Sequence, residues 1–394
     1  MKRTCLIVIS LLFVLLPISA AQDAVFCGDL PAADCDLLAA NHAAMRDLDT
    51  VAYDLSLTLS GFTESDNPFD LMLTSDGVMR TGQATLRSAL PALFDADSVD
   101  ALLELAEPAL NTLAAEGQIR IAVPVEDSEQ PTAFSARMRL TEGHVYLTSL
   151  FLQLAVPGLG RGDWLDLDLM NTADMTADLL SNPARLQALV ETLESRGLPL
   201  PPGDLRDGDL NGVPFAQVVA HFVQMGRTLN RDLLTTPDFQ SRFVAIQRLP
   251  DQTVAGEPVA VFEMTLNYPV LVEADIFQQA LSDTLTLMAS HEMSPDEIEQ
   301  AKMLLLELLA AQTMTITRTV GLNDSYTDSV IIVWSLQLDT DMVQTITAGT
   351  LTAPRAATII YEQHLSDHNQ PVTVAAPAAT RSALDLVRGF LGDG

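Results

Sequence analysis

A chain of 394 residues with 48% hydrophobic and 19% charged side chains has enough apolar material for a sizeable core, which excludes wholesale disorder. Its 52 acidic residues against 21 basic ones give a formal net charge of −31, a surface that repels phosphate backbones and anionic headgroups at long range. Nucleic acid is therefore a poor candidate partner, and much of the charge serves the solubility of an apolar composition.

In chain order, Lys2 and Arg3 precede an apolar run from Cys5 to Pro17, and Ser19-Ala20-Ala21 then offers small residues for a signal peptidase. The run is short for a bilayer span, so residues 1–21 are predicted to be a cleaved signal peptide and the product a soluble secreted or periplasmic protein. Membrane contact would then be transient at most. No Cys follows the cleavage site closely enough to carry a lipid anchor, since Cys27 comes too late. Cys5 leaves with the signal, and Cys27 and Cys35 remain as an even pair, predicted to form one disulfide in an oxidising compartment. Two thiols alone do not fill a tetrahedral metal shell.

From Asp34 to Asp49, Leu37, Leu38, Met45 and Leu48 recur at helical spacing. The period then changes to two: Val51, Tyr53, Leu55, Leu57 and Leu59 alternate with smaller or polar residues, a strand with one apolar face. Further strands are predicted at Phe69–Thr74, at Phe134–Leu140 turning through Glu142-Gly143 into Val145–Leu150, and at Trp164–Leu169. A hairpin is predicted from Arg242–Leu249 and Pro258–Leu266, in which Phe262, Met264 and Leu266 share a face. Met314–Val320 and Val330–Leu338 form another pair, the second with Val330, Ile332, Trp334, Leu336 and Leu338 on one side. Ala357–Leu365 and Pro371–Ala375, joined by SDHNQ, complete the set of strands. Helices are predicted at Asp97–Ala115, Thr172–Glu194, Phe215–Leu234, Val272–Ala289 and Ile298–Ala311. Ser294-Pro295-Asp296-Glu297 supplies an N-cap, a first-turn proline and a capping-box glutamate for the last of these. The fold class this implies is α+β, one broad antiparallel sheet with helices packed over its inner face.

No catalytic or cofactor signature is present: GxSxG, HExxH, P-loop and dinucleotide fingerprints are all missing. The glycine-rich run at Gly158–Gly162 precedes a strand instead of a helix, so it is a loop and not a phosphate cradle. Asp207, Asp209, Asn211 and Gly212 match the first half of a calcium loop, but the position for its bidentate acid is Val218, which leaves an acidic turn. His364 and His368, with Glu362 and Asp367, have metal-like composition on a strand end and turn, where four-residue spacing does not converge. No metal, cofactor or catalytic residue is predicted.

MRDLDTVAYDLSLTLS, RFVAIQRLPDQTVAGEPVAVFEMTLN, MTITRTVGLNDSYTDSVIIVWSLQLD and YEQHLSDHNQPVTVAAP together resemble the strands of the LolA and LppX/LprG superfamily of lipid and lipoprotein carriers. The resemblance covers most of the chain and implies a half-open antiparallel barrel with helices over its concave face, holding acyl chains. This chain is roughly half again as long as such carriers, which implies a single domain over residues 22–394 with a helical insertion around 172–234. The anionic surface suits a neutral ligand or a basic partner better than an anionic lipid.

The expected function is an exported carrier or sensor binding a lipid or other hydrophobic small molecule between sheet and helices. The expected cavity wall is Tyr53, Leu55, Leu57, Leu59, Phe262, Met264, Leu266, Ile332, Trp334 and Leu336, with Tyr53 and Trp334 nearest an acyl chain. Two other classes stay open: a structural or interaction module of the cell envelope whose core is filled, and a hydrolase using a pocket between the same layers.

Overall fold

The computed structural model describes residues 25–62, 68–80, 108, 110–123, 132–155, 159–160, 162–171, 209–210, 213–214, 221, 224–288, 294–346 and 353–386. The signal segment, the helix expected at 172–194, most of that expected at 97–115 and the first part of that expected at 215–234 lie outside these residues.

Alternating sequence builds the sheet. Strands β1 (Thr50–Phe62), β2 (Pro68–Arg80), β3 (Ala114–Val123), β4 (Thr132–Thr141), β5 (His144–Ser149) and β6 (Trp164–Asp168) form one meander. The residue pairs Asp209–Leu210 (β7) and Val213–Pro214 (β8) make a separate small hairpin, on the acidic turn that resembled half a calcium loop. A second meander runs through β9 (Val244–Val254), β10 (Glu257–Leu266), β11 (Gln312–Gly321), β12 (Thr327–Leu338) and β13 (Arg355–Ser366). The two meanders join edge to edge where β1 pairs with β13, first strand against last long strand. The result is a twelve-stranded open sheet in the order β14-β6-β5-β4-β3-β2-β1-β13-β12-β11-β10-β9, with β14 (Thr380–Ser382) the one parallel partner. Two-residue turns with positive φ at both positions, Glu142-Gly143 and Ala255-Gly256, match the right-handed strand twist and close the β4–β5 and β9–β10 hairpins.

Among the described residues the helices are α1 (Ala32–Arg46), α2 (Leu150–Ala155), α3 (Pro237–Phe243), α4 (Tyr268–Val272), α5 (Asp275–Met288), α6 (Pro295–Ala310) and α7 (Thr340–Ile346). A π-helical turn at Asn230–Leu234 leads into α3. The capping box of α6 is complete: Glu297 N donates to Ser294 Oγ at 3.3 Å, and Ser294 N donates to Glu297 Oε2 at 2.8 Å. These bonds hold the Glu297 carboxyl below its ordinary range.

Among the described residues, three clusters fix the layers. Phe239, Phe243, Tyr268, Phe277, Leu281 and Leu309 from the helices pack with Met314 and Trp334 of the sheet. The Tyr268 hydroxyl is buried against Met314 Sδ at 4.0 Å, and burial pushes this phenol up to about 12. At the other end of the strands Leu38 of α1 packs on Ala260, Phe262 and Val320, while Leu48 packs on Val51 and Leu365. Cys27 and Cys35 are disulfide-bonded, with Cα atoms 5.4 Å apart, tying the segment before α1 to its first turn. Closing so short a loop contributes about 2–3 kcal/mol on a chain-entropy estimate.

Four expectations from the sequence are corrected. Pro371–Ala375 is not a strand. Both edges of β13 are taken, by β1 and β12, so the returning chain finds no free ladder. Its carbonyls instead accept side-chain donors, Val372 O from Arg80 and Val374 O from Thr141. β3 occupies a stretch whose start had been read as helix. The segment expected as one helix from Val272 begins earlier and breaks into α4 and α5 around Glu273-Ala274. Arg242 and Phe243, expected to start a strand, end α3.

Candidate functional site

Directly paired residues of a sheet share a face, so the register defines continuous rungs. One rung runs Leu266, Met314, Trp334, Ile359, Leu59, Leu71 across β10, β11, β12, β13, β1 and β2. The next runs Ile246, Met264, Ile316, Ile332, Tyr361, Leu57, Leu73, Ile121, Phe134. A third runs Arg248, Phe262, Arg318, Val330, Gln363, Leu55, Ser75, Ile119. Tyr53 and Leu336 have the same parity, two residues beyond Leu55 and Trp334 on their strands. All the residues assigned to the wall from sequence therefore lie on one face, the face against which the helices pack.

Their surroundings differ sharply. Trp334 is buried beneath the helices, with Nε1 donating to Gln312 Oε1 at 3.1 Å. Phe262 is buried under α1, with the Arg248 guanidinium 4.9 Å from its ring centroid. Leu266, Ile332 and Leu336 are half-buried at the margin of the helical cluster. On the other half of the same face, Leu55, Leu57, Leu59, Leu71, Leu73, Ile119 and Ile121 are all only partly covered. Phe134, at the end of the second rung, is 47% exposed. Among the described residues, one half of the apolar face packs into the helical cluster, while the other half is partly covered and belongs to no such cluster.

Tyr53 fills a gap in the floor. Gly77 and Gly117 stand opposite each other on β2 and β3, and a Cβ on Gly117 would lie 2.6 Å from the Tyr53 hydroxyl. The ring thus covers bare backbone, and its hydroxyl reaches Ser75 Oγ at 3.4 Å. Tyr361 sits in the middle of the second rung, where burial raises its phenol.

Two functional candidates escaped the sequence reading. Arg318 takes an apolar position in β11, and Asn41 takes a position in the apolar stripe of α1. Asn41 is fully buried and donates from Nδ2 to Ser325 O at 2.8 Å and to Thr327 Oγ1 at 3.0 Å. Arg318 Nη1 donates to Asn41 Oδ1 at 3.4 Å. An arginine in the apolar register of a Thr-rich strand was the legible signal for the pair.

The histidine pair does not converge. His364 lies on the opposite face of β13, in register with Asp54 and Ser329. His368 stacks on Tyr326 at 4.5 Å between centroids and bonds from Nε2 to Thr327 O at 3.1 Å. Among the described residues no three His, Cys, Asp or Glu side chains gather as a metal site would require, and no helix is long and apolar enough to cross a membrane.

No family profile matches the sequence, and no curated protein matches it. Among solved structures the chain is similar to the lipoprotein LppX of Mycobacterium tuberculosis, at 11% identity and TM-score 0.28, over 86% of this chain and 97% of that one. It is similar to LprF from Mycobacterium bovis, at 12% identity and TM-score 0.31, over 90% and 100% of the two chains. A LolA superfamily protein from Nitrosomonas europaea aligns at 8% identity and TM-score 0.15, over 86% and 94%. At such TM-scores no ligand is carried over from them, and the functional reading rests on the chain's own face.

Proposed function

We propose that this protein is an exported, non-catalytic carrier or sensor that holds the acyl chain of a lipid or similar amphiphile against the inner face of its sheet. The observation that supports it is the uneven covering of one continuous apolar face. Beneath the helices Met314 and Trp334 are buried, whereas among the described residues the face from Ile332 through Tyr361 to Leu55, Leu57, Leu59, Leu71 and Leu73 remains partly open. Apolar side chains left in contact with water at about 25 cal/mol per Å² favour an apolar ligand that covers them. The Cys27–Cys35 disulfide supports an oxidising, extracytoplasmic compartment. In this reading residues 172–234 are an insertion within a single domain that follows the signal peptide.

Two tryptophan substitutions separate a ligand face from a filled core. Leu336→Trp, at the packed margin, should overpack the helical cluster and lower stability by about 1–3 kcal/mol. Leu57→Trp should stay within about 0.5 kcal/mol of wild type, as at an unpacked site. It should also weaken uptake of cis-parinaric acid at least about tenfold, or ~1.4 kcal/mol. Chemical unfolding and the fluorescence of the bound acid measure the two effects. A destabilised Leu57→Trp with unchanged uptake overturns the proposal and favours a structural module.

A further inference from the structure

Arg318 stands where the alternation of β11 places apolar side chains, sharing its face with Met314, Ile316 and Val320. In register it lies between Phe262 on β10 and Val330 on β12, so its side chain leaves the helix-covered face of the sheet. Its Nε is shielded from solvent and has no acceptor, and among the described residues its one hydrogen bond is the 3.4 Å contact to Asn41. That acceptor cannot balance a charge. A guanidinium has five donors and is not deprotonated in proteins, so desolvating it without a carboxylate is costly.

Several other arginines of the chain lie against carboxylates. Arg139 lies on Glu116 at 2.6 Å, Arg231 on Asp232 at 2.6 Å, Arg248 on Asp34 at 3.6 Å and Arg381 on Asp163 at 3.5 Å. With 52 acidic residues available, no carboxylate among the described residues lies against Arg318. Burial pushes its guanidinium below the ordinary arginine value with nothing offsetting it. The residue as a whole is nonetheless only partly buried, so it remains within reach of an incoming group.

We propose that Arg318 is the head-group site of the amphiphile, receiving an anionic carboxylate or phosphate whose acyl chain lies along the rung through Leu57. This rests on the carrier reading above. Three strand spacings separate β11 from β1, about 14 Å, a distance an acyl chain spans along the apolar rung of Ile332, Tyr361 and Leu57. The head would supply the missing acceptors for the guanidinium, whose planar fork fits carboxylate and phosphate oxygens two at a time. The net charge of −31 does not forbid this. Its repulsion is screened beyond about 8 Å at physiological ionic strength, whereas a charge-assisted hydrogen bond acts at contact. The expectation of a neutral ligand, drawn from net charge, gives way here to the local field of one desolvated cation.

The test compares oleate and oleyl phosphate with methyl oleate, each displacing a neutral fluorescent acyl ester from the delipidated full chain, with acetate as a control for a free anion. Wild type should prefer both acids over the ester at least tenfold, and acetate should displace nothing. Arg318→Met should bind all three equally while keeping its affinity for the ester, and Arg318→Lys should retain the preference in part. Equal affinity for acids and ester in wild type, or a preference that survives in Arg318→Met, overturns the head-group site and leaves the carrier intact. Saturation by acetate overturns the amphiphile and leaves a free-anion site. No binding of any amphiphile overturns the carrier reading itself. Should Arg318→Met fail to fold, the wild-type comparison of acids with ester decides alone.

Discussion

Replacing Phe262 by alanine should lower the unfolding free energy by about 3–5 kcal/mol, the range for emptying a large aromatic site in a packed interior. The residue is 1% exposed and is the contact through which α1 is fastened to the sheet, clustered with Leu38 of that helix and with the paired Ala260 and Val320. Arg248 caps the ring at 4.9 Å, so truncation also strips a cation–π partner from a guanidinium held by Asp34 and Asp251. A strand cannot close the hole by shifting alone, because β10 is pinned by β9 on one side and β11 on the other. Urea unfolding followed by far-UV circular dichroism measures the loss. A change under about 1 kcal/mol would mean that α1 is not docked there at all.

Asn41→Ala should be nearly as damaging, for a polar reason. Its amide is fully buried and satisfies the Ser325 carbonyl and the Thr327 hydroxyl, in the turn that joins β11 to β12. Truncation leaves these groups and one donor of Arg318 without a partner, at about 1–3 kcal/mol for each buried group that water cannot reach. Because both acceptors lie in one turn, the substitution should also speed amide exchange in residues 321–327 relative to β13. An unchanged exchange pattern there would show that the helix and the turn are not coupled through this side chain.

The two substitutions probe opposite degrees of legibility. Phe262 belongs to an alternating apolar set, and such sets revealed β1, β10 and β12 with their inward faces, because a period of two is robust when one face is buried. β3 shows where that signal fails. Its inward positions are Ala115, Gly117, Ile119 and Ile121, and Gly117 leaves a gap in the pattern because Tyr53 lies over it. Residues chosen to be covered by a neighbouring strand's aromatic ring look like nothing in isolation. Pro371–Ala375 shows the converse: Val372 and Val374 alternate well enough for a strand, yet the edges of β13 were already filled by partners distant in sequence.

The candidate site was half legible for the same reason. Leu55, Leu57 and Leu59 could be placed on the inner face from spacing, but which half of that face the helices fill depends on where α3 to α6 dock. Asn41 and Arg318 could have been found by treating a polar residue in an apolar register as a question. Asn41 follows Leu38 by three residues and precedes Met45 by four, inside the stripe of α1, and Arg318 interrupts Met314, Ile316 and Val320. Their pairing across the sequence could not have been read, since it arises only when α1 settles onto the far end of β11.

The most direct measurement is mass spectrometry of an organic extract of the protein purified without detergent, set beside titration of the delipidated protein with cis-parinaric acid. A carrier with a partly open apolar face should release a co-purified acyl amphiphile in near-stoichiometric amount and, once emptied, take up the fluorescent acid saturably. A clean extract together with no saturable uptake would contradict it and leave the inner face as a filled core.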